Sequence, residues 1–265
     1  MRAVLLDLDD TLLVEKAANE DARLAVCTIA SERYGVEVRS LCDAVKAHAG
    51  ALWRASPTSA YCRRIGLSSS EALWCRFLGR DRNTRRLHAW APTYRTEAWH
   101  LALADHGVRD RRFAGMLAQR FLDERRSRHV LLPHACETLV ALRQRYKLVL
   151  LTNGASCLQR EKLAGSGLKD LFDHVVVSGD VGVGKPDARI FLTALADVRV
   201  GPAEAVMVGD SAERDIEGAR RARIASIWLR GENDEAVEAD ATIAGLAELP
   251  DAIKANEDSR SGPTL

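Results

Sequence analysis

Paired cysteines, long apolar runs and an excess of either charge are all missing from this sequence, and each absence closes off a class of protein. The six cysteines, at positions 27, 42, 62, 75, 136 and 157, form no CxxC pair and match no Cys/His ligand spacing. They are expected to be small buried hydrophobes in a reducing compartment, not a zinc site or a disulfide frame. No apolar stretch approaches the roughly 20 residues needed to span a bilayer. The apolar N-terminal run is interrupted by Asp7, Asp9 and Asp10, acids that a secretory h-region would not tolerate, so a cytoplasmic location without a membrane partner is expected. With 38 Lys+Arg against 37 Asp+Glu, no whole-chain charge draws the protein to nucleic acid. Aromatic residues make up only 5%, and the seven histidines form no HxxxH pair.

What is present is enough apolar sequence for a sizeable interior. In 265 residues, 47% are hydrophobic and 28% charged, which allows one large core or a core with a smaller companion. The run 3–6 is apolar throughout and ends in Asp7-Leu8-Asp9-Asp10-Thr11, as expected of a central strand covered on both faces. From 14 to 129 the spacing is helical, for example over 22–30, 41–53 and 113–122, with Ser56-Pro57 and Ala91-Pro92 read as helix breaks. After Pro133, strands at 147–152, 174–178, 205–209 and 225–229 alternate with helices near 157–165, 188–197 and 213–222. This rhythm predicts an α/β fold, a doubly wound parallel sheet with a Rossmann-like core, carrying an inserted all-helical cap. The expected division is a catalytic core of 1–13 and 130–254, a cap of 14–129 and a flexible tail of 255–265.

Charge separates the two parts. Residues 14–130 hold 21 Lys+Arg against 13 Asp+Glu, so the insertion is basic and the remainder acidic, an arrangement suited to an anionic substrate. The equal alternative is an Arg-rich surface paired locally with Glu and Asp.

In open α/β sheets, ligands bind beyond the carboxyl ends of the strands. Those ends carry Asp7 and Asp9, then Thr152-Asn153-Gly154, then Gly209-Asp210 with Asp215 close behind, while Lys185 lies in the loop Gly184-Lys185-Pro186. Clustered carboxylates call for a cation, and an all-oxygen set favours Mg²⁺. With repulsion screened, Asp7 can attack a phosphoryl group. Asp9, two residues on, can protonate the departing alkoxide and later activate water. Thr152 and the amides near Gly154 can hold the transferring oxygens, and Lys185 supplies fixed positive charge. Taken singly, each segment could be only a turn, an N-cap or a helix-terminal charge; four such coincidences in one order are improbable.

These four segments, in this order, resemble the motifs of the haloacid dehalogenase-like hydrolase superfamily. The resemblance implies that Asp7 is the nucleophile and a metal ligand, that Asp9 is the general acid/base and a ligand through its carbonyl, and that Asp210 is a direct ligand. It implies that Asp215 orients water or Lys185, and that Thr152, Asn153, Gly154 and Lys185 hold the phosphate. The carboxyl at Asp9 selects phosphate esters over halides, because halide leaves without a proton whereas alkoxide does not. The segment Leu150-Leu151-Thr152-Asn153-Gly154, followed by Gln159-Arg160-Glu161-Lys162-Leu163, is similar to N-acylneuraminate-9-phosphatases and nucleoside-monophosphate phosphatases, which implies a sugar-like phosphate or a nucleotide. A small phosphorylated metabolite is thus the expected partner, for a monomer or homodimer that binds no nucleic acid. The alternatives are a phosphomutase, or a non-catalytic protein using the basic runs 80–86 and 109–112. In the insertion, Trp53, Trp74, Trp90 and Trp99 are read as packing anchors ahead of a stacking platform, and Arg23, Arg54 and Arg95 as exposed surface ahead of contacts to a second anionic group.

Overall fold

The computed structural model describes residues 1–231 and 237–260. The chain forms two compact units, one of residues 1–14 with 130–265 and the other of 15–129.

In the first unit, β1 (Ala3–Leu6) starts the sheet. The second unit follows, with helices α1 (Lys16–Tyr34), α2 (Val38–Arg54), α3 (Ser59–Arg64), α4 (Ser69–Ala72), α5 (Arg82–Asp105) and α6 (Arg111–Arg126). The chain then supplies α7 (Ala135–Leu142), β2 (Lys147–Thr152), α8 (Ser156–Gly165), β3 (His174–Val177), α9 (Ser178–Val181) and α10 (Ala188–Val198). It ends with β4 (Ala205–Gly209), α11 (Glu217–Ala222), β5 (Ala225–Leu229), β6 (Ala241–Ile243) and α12 (Leu249–Arg260).

All strands run parallel in the order β3-β2-β1-β4-β5-β6. β1 lies between β2 and β4 and is wholly buried, which explains its unbroken apolar run. Val4 and Leu6 face a layer containing Leu139 of α7 and Ile253 of α12, whereas Ala3 and Leu5 face Ile190 and Phe191 of α10 and Ala219 of α11. Helices on both faces make the sheet doubly wound, as the alternation predicted.

The sequence reading differs from the structure in several places. Pro92 lies inside α5 instead of ending it; a proline removes one N–H bond, and the continuous buried face of Leu87, Ala91, Tyr94, Ala98, Trp99 and Ala102 holds the helix together across it. β6 is a three-residue edge strand, too short to show a period. Cys136 is exposed and Cys157 half-buried, while the other four cysteines are buried. The stretch 255–260 is not a loose tail: it completes α12, with Asn256 buried and Glu257 accepting from the N-terminal ammonium at 2.8 Å and the Tyr146 hydroxyl at 3.1 Å. Residues 261–265 of that expected tail lie outside the described residues.

The helical unit has its own buried polar centre. Asp81 and Asp110 cap α5 and α6 by accepting from Thr84 and Phe113 amides. At the end of α6, Arg125 donates to Glu15 and Asn19 on one side and to the Arg128 carbonyl on the other, with its guanidinium 4.5 Å above the Trp74 ring. Trp74 and Trp99 are fully buried and act in packing, while the half-buried Trp90 stacks on Tyr94 at 4.6 Å with Trp53 beside both. Arg95 holds the carbonyls of Ala72 and Cys75, and Arg23 is buried against Glu20; neither is the exposed residue expected. No helix among the described residues is long and apolar enough to cross a membrane.

Candidate active site

The three central strands end side by side, and the residue types singled out in the sequence follow directly from them. Asp7 is the first residue after β1, its amide still donating to the Val208 carbonyl of β4 at 3.0 Å. Thr152 ends β2, Gly209 ends β4, and Asp210 is next. The turn after Asp7 closes on itself, with the Leu12 and Leu13 amides donating to the Leu8 carbonyl. It is tied to the neighbouring loop by Thr11, whose Oγ1 accepts from the Asp210 amide at 3.0 Å. Trp228, at the end of β5, donates its indole N–H to the Asp210 carbonyl at 3.0 Å. Asp210 is therefore held by its main chain from both sides.

Lys185 is the hub. Its Nζ lies 2.6 Å from Asp7 Oδ1 and 2.7 Å from Asp215 Oδ1, and all three side chains are buried. Asn153 fixes the lysine's backbone: its Oδ1 accepts from the Lys185 amide at 2.8 Å and its Nδ2 donates to the Lys185 carbonyl at 2.9 Å. Asp215 reaches the hub across Gly209, where a Cβ would lie 2.7 Å from the Asp215 Cβ. Asp215 also accepts from the Ser211 amide at 3.0 Å. A single methyl at 209 would therefore displace it.

The electrostatics follow from burial. Burial pushes the Asp7 carboxyl up to about 6, with the Lys185 ammonium opposing and the Asp215 carboxylate adding to the rise. Burial likewise raises Asp215 against the pull of Lys185. For Lys185, burial alone would lower the pKa, but the carboxylates of Asp215 and Asp7 outweigh it and hold the ammonium above its usual range. One ammonium thus serves two buried carboxylates, and Asp210 adds a third: oxygens of Asp7, Asp210 and Asp215 lie within 4.8 Å of one another. An all-oxygen cluster with surplus negative charge fits a hard divalent cation.

The structure brings Asp7, Lys185, Asp210 and Asp215 together, with Thr152 and Asn153 at the neighbouring strand end. It gives two of the expected phosphate-binding groups other partners. The Gly154 amide donates to Ser178 Oγ at 2.8 Å, and the Asn153 side chain is taken by Lys185. Both therefore shape the loop. Asp9 is held from α8: Lys162 Nζ lies 3.0 and 2.9 Å from its two oxygens, and Gln159 Nε2 donates at 3.3 Å. Sequence reasoning gave Thr11, Gln159, Lys162, Ser178 and Trp228 no role. Only the Gln159–Lys162 spacing, one helical turn on a face that should be apolar, carried a signal.

The family model for haloacid dehalogenase-like hydrolases matches residues 1–223. This chain is a haloacid dehalogenase-like hydrolase. Among curated relatives of this hydrolase, a phosphoserine phosphatase from Thermus thermophilus is 42% identical over 253 residues, which cover 94% of the chain and 98% of the relative. The human N-acylneuraminate-9-phosphatase is 28% identical, covering 86% of the chain and 82% of the relative. Among solved structures, a 2-haloacid dehalogenase from Pseudomonas syringae superposes with a TM-score of 0.61 at 26% identity, covering 96% of the chain and 99% of that structure. Dehalogenase and phosphatase thus share the scaffold, and the site residues must separate them.

Proposed function

We propose that this hydrolase cleaves a small phosphomonoester through a phosphoryl group carried on Asp7. The observation that carries the reading is Asp9, a second carboxyl two residues beyond the one bound to Lys185. A halide would leave unaided, but an ester oxygen needs a proton, and a positioned acid is worth about 10²–10⁴-fold.

In the first step an Asp7 oxygen attacks phosphorus, the ester P–O bond breaks, and Asp9 gives its proton to the departing oxygen. In the second, Asp9 takes a proton from water as that water attacks phosphorus. The P–O bond to Asp7 then breaks and inorganic phosphate leaves. Thr152, supported by the loop that Asn153 and Gly154 shape, orients the transferring oxygens. Lys185 offsets charge on Asp7 and on the phosphoryl group, with Asp215 holding its ammonium in place. Asp7 and Asp210, with the Asp9 carbonyl, would hold Mg²⁺. When bound, Mg²⁺ screens the repulsion between carboxylate and phosphate.

The near full-length likeness to a phosphoserine phosphatase supports phosphoserine as the first substrate to test, and the second relative supports a sugar-acid phosphate. The deciding experiment measures phosphate release from p-nitrophenyl phosphate with and without Mg²⁺, followed by a panel of phosphoserine, sugar phosphates and nucleotides. Mg²⁺-dependent release is expected. No Mg²⁺-dependent turnover, together with tight, salt-sensitive binding of nucleic acid, overturns the proposal.

A further inference from the structure

We infer that Gln159 and Lys162 are positioning residues for Asp9, holding its carboxyl in register with the phosphate loop for proton transfer to the leaving oxygen and from water. The inference rests on the reading of Asp9 as the acid. Gln159 and Lys162 lie three positions apart on α8, where side chains share one face, and both are buried on it, with Lys162 wholly inaccessible. The Lys162 ammonium spans both oxygens of Asp9 at 3.0 and 2.9 Å, fixing the plane of the carboxyl as well as its position.

Gln159 joins the same carboxyl to the loop at the end of β2. Its Nε2 donates to Asp9 Oδ2 at 3.3 Å, and its Oε1 lies 3.5 Å from Thr152 Oγ1. It approaches across Gly154, which has a φ of +133° and where a Cβ would lie 2.5 Å from Gln159 Nε2. The glycine therefore opens the route by which α8 reaches both the acid and the loop.

Stability does not explain this lysine. Burying an ammonium carries a desolvation cost, and replacing a buried ion pair with a well-packed apolar residue is often neutral or stabilising. Asp9 does not require a buried counter-ion either, since its side chain is 22% exposed. A methionine at 162 would fill the helix–sheet space; what it cannot do is hold a carboxyl by two charge-assisted bonds. The chemistry served is ester cleavage with a poor leaving group, where misplacing the acid is costly.

The test compares β-glycerophosphate, an alkyl ester, with p-nitrophenyl phosphate, whose leaving group needs little protonation. Lys162→Met is expected to lower kcat on the alkyl ester about 30-fold or more and on the aryl ester about 3-fold or less, with KM little changed. Lys162→Arg should restore most of the alkyl rate. In an Asp9→Asn background, adding Lys162→Met should change little, because both act through one group. Equal losses on the two esters, or full additivity in the double variant, overturns the inference. If Asp9→Asn alone shows no difference between esters, the reading of Asp9 fails instead. Thermal melting checks that Lys162→Met is folded; if it is not, Gln159→Leu carries the same cycle.

Discussion

Each unit of this hydrolase buries an ion-pair centre, and the two are built to opposite balances. In the helical unit one guanidinium, Arg125, meets one carboxylate, Glu15, and its remaining donors go to Asn19 and a carbonyl. The account closes locally, and the centre serves to fix helix ends. In the sheet unit one ammonium, Lys185, meets two buried carboxylates with a third alongside. In that centre burial raises the carboxyls of Asp7 and Asp215. One cation matched to one carboxylate marks architecture; one cation shared among clustered carboxylates at the ends of parallel strands marks chemistry.

Four substitutions press on that contrast. The largest effect is expected from Asp7→Asn, which removes the proposed nucleophile: phosphate release and phosphoenzyme labelling should fall by roughly 10⁴-fold or more. A rate near wild type in that variant would remove Asp7 from the mechanism. Asp9→Asn should lower alkyl-ester turnover by about 10²–10⁴-fold and aryl-ester turnover by much less; paired assays on the two esters read this directly. In the other centre, Glu15→Gln leaves Arg125 buried without its carboxylate and should cost about 3–5 kcal/mol in denaturant titration. An unchanged midpoint would show that the helical centre is not closed by that pair. The smallest effect is expected from Trp228→Phe, which deletes the donor to the Asp210 carbonyl. The Mg²⁺ concentration for half-maximal activity should rise by about tenfold, while the rate at saturating Mg²⁺ stays near wild type.

The sheet was legible because its strands are buried on both faces, so apolarity in 3–6, 147–152 and 205–209 had no polar interruptions. The short edge strand β6 and the proline within α5 were not, since a three-residue strand has no period and tertiary packing overrides a local break. The candidate site carboxylates were legible because strand ends concentrate ligands and the residue types are specific. Their supports were hidden for a physical reason. Thr11, Ser178 and Trp228 act through main-chain hydrogen bonds from distant parts of the chain, and sequence spacing says nothing about which carbonyl an indole will meet. Lys162 was legible only as part of a family-like segment, because lysine is seldom buried without a partner and its partner lies 153 positions away.

Lys185 also bears on how the folded chain comes into existence. A cluster of buried acids assembled without any positive charge would push its strands apart, and folding would have to wait for a metal. Here the chain brings its own counter-ion, Lys185, from the loop before α10. Folding and loading with the proposed cation can therefore be separate events, the first driven by the sheet and its two apolar layers, the second left to the supply of the ion.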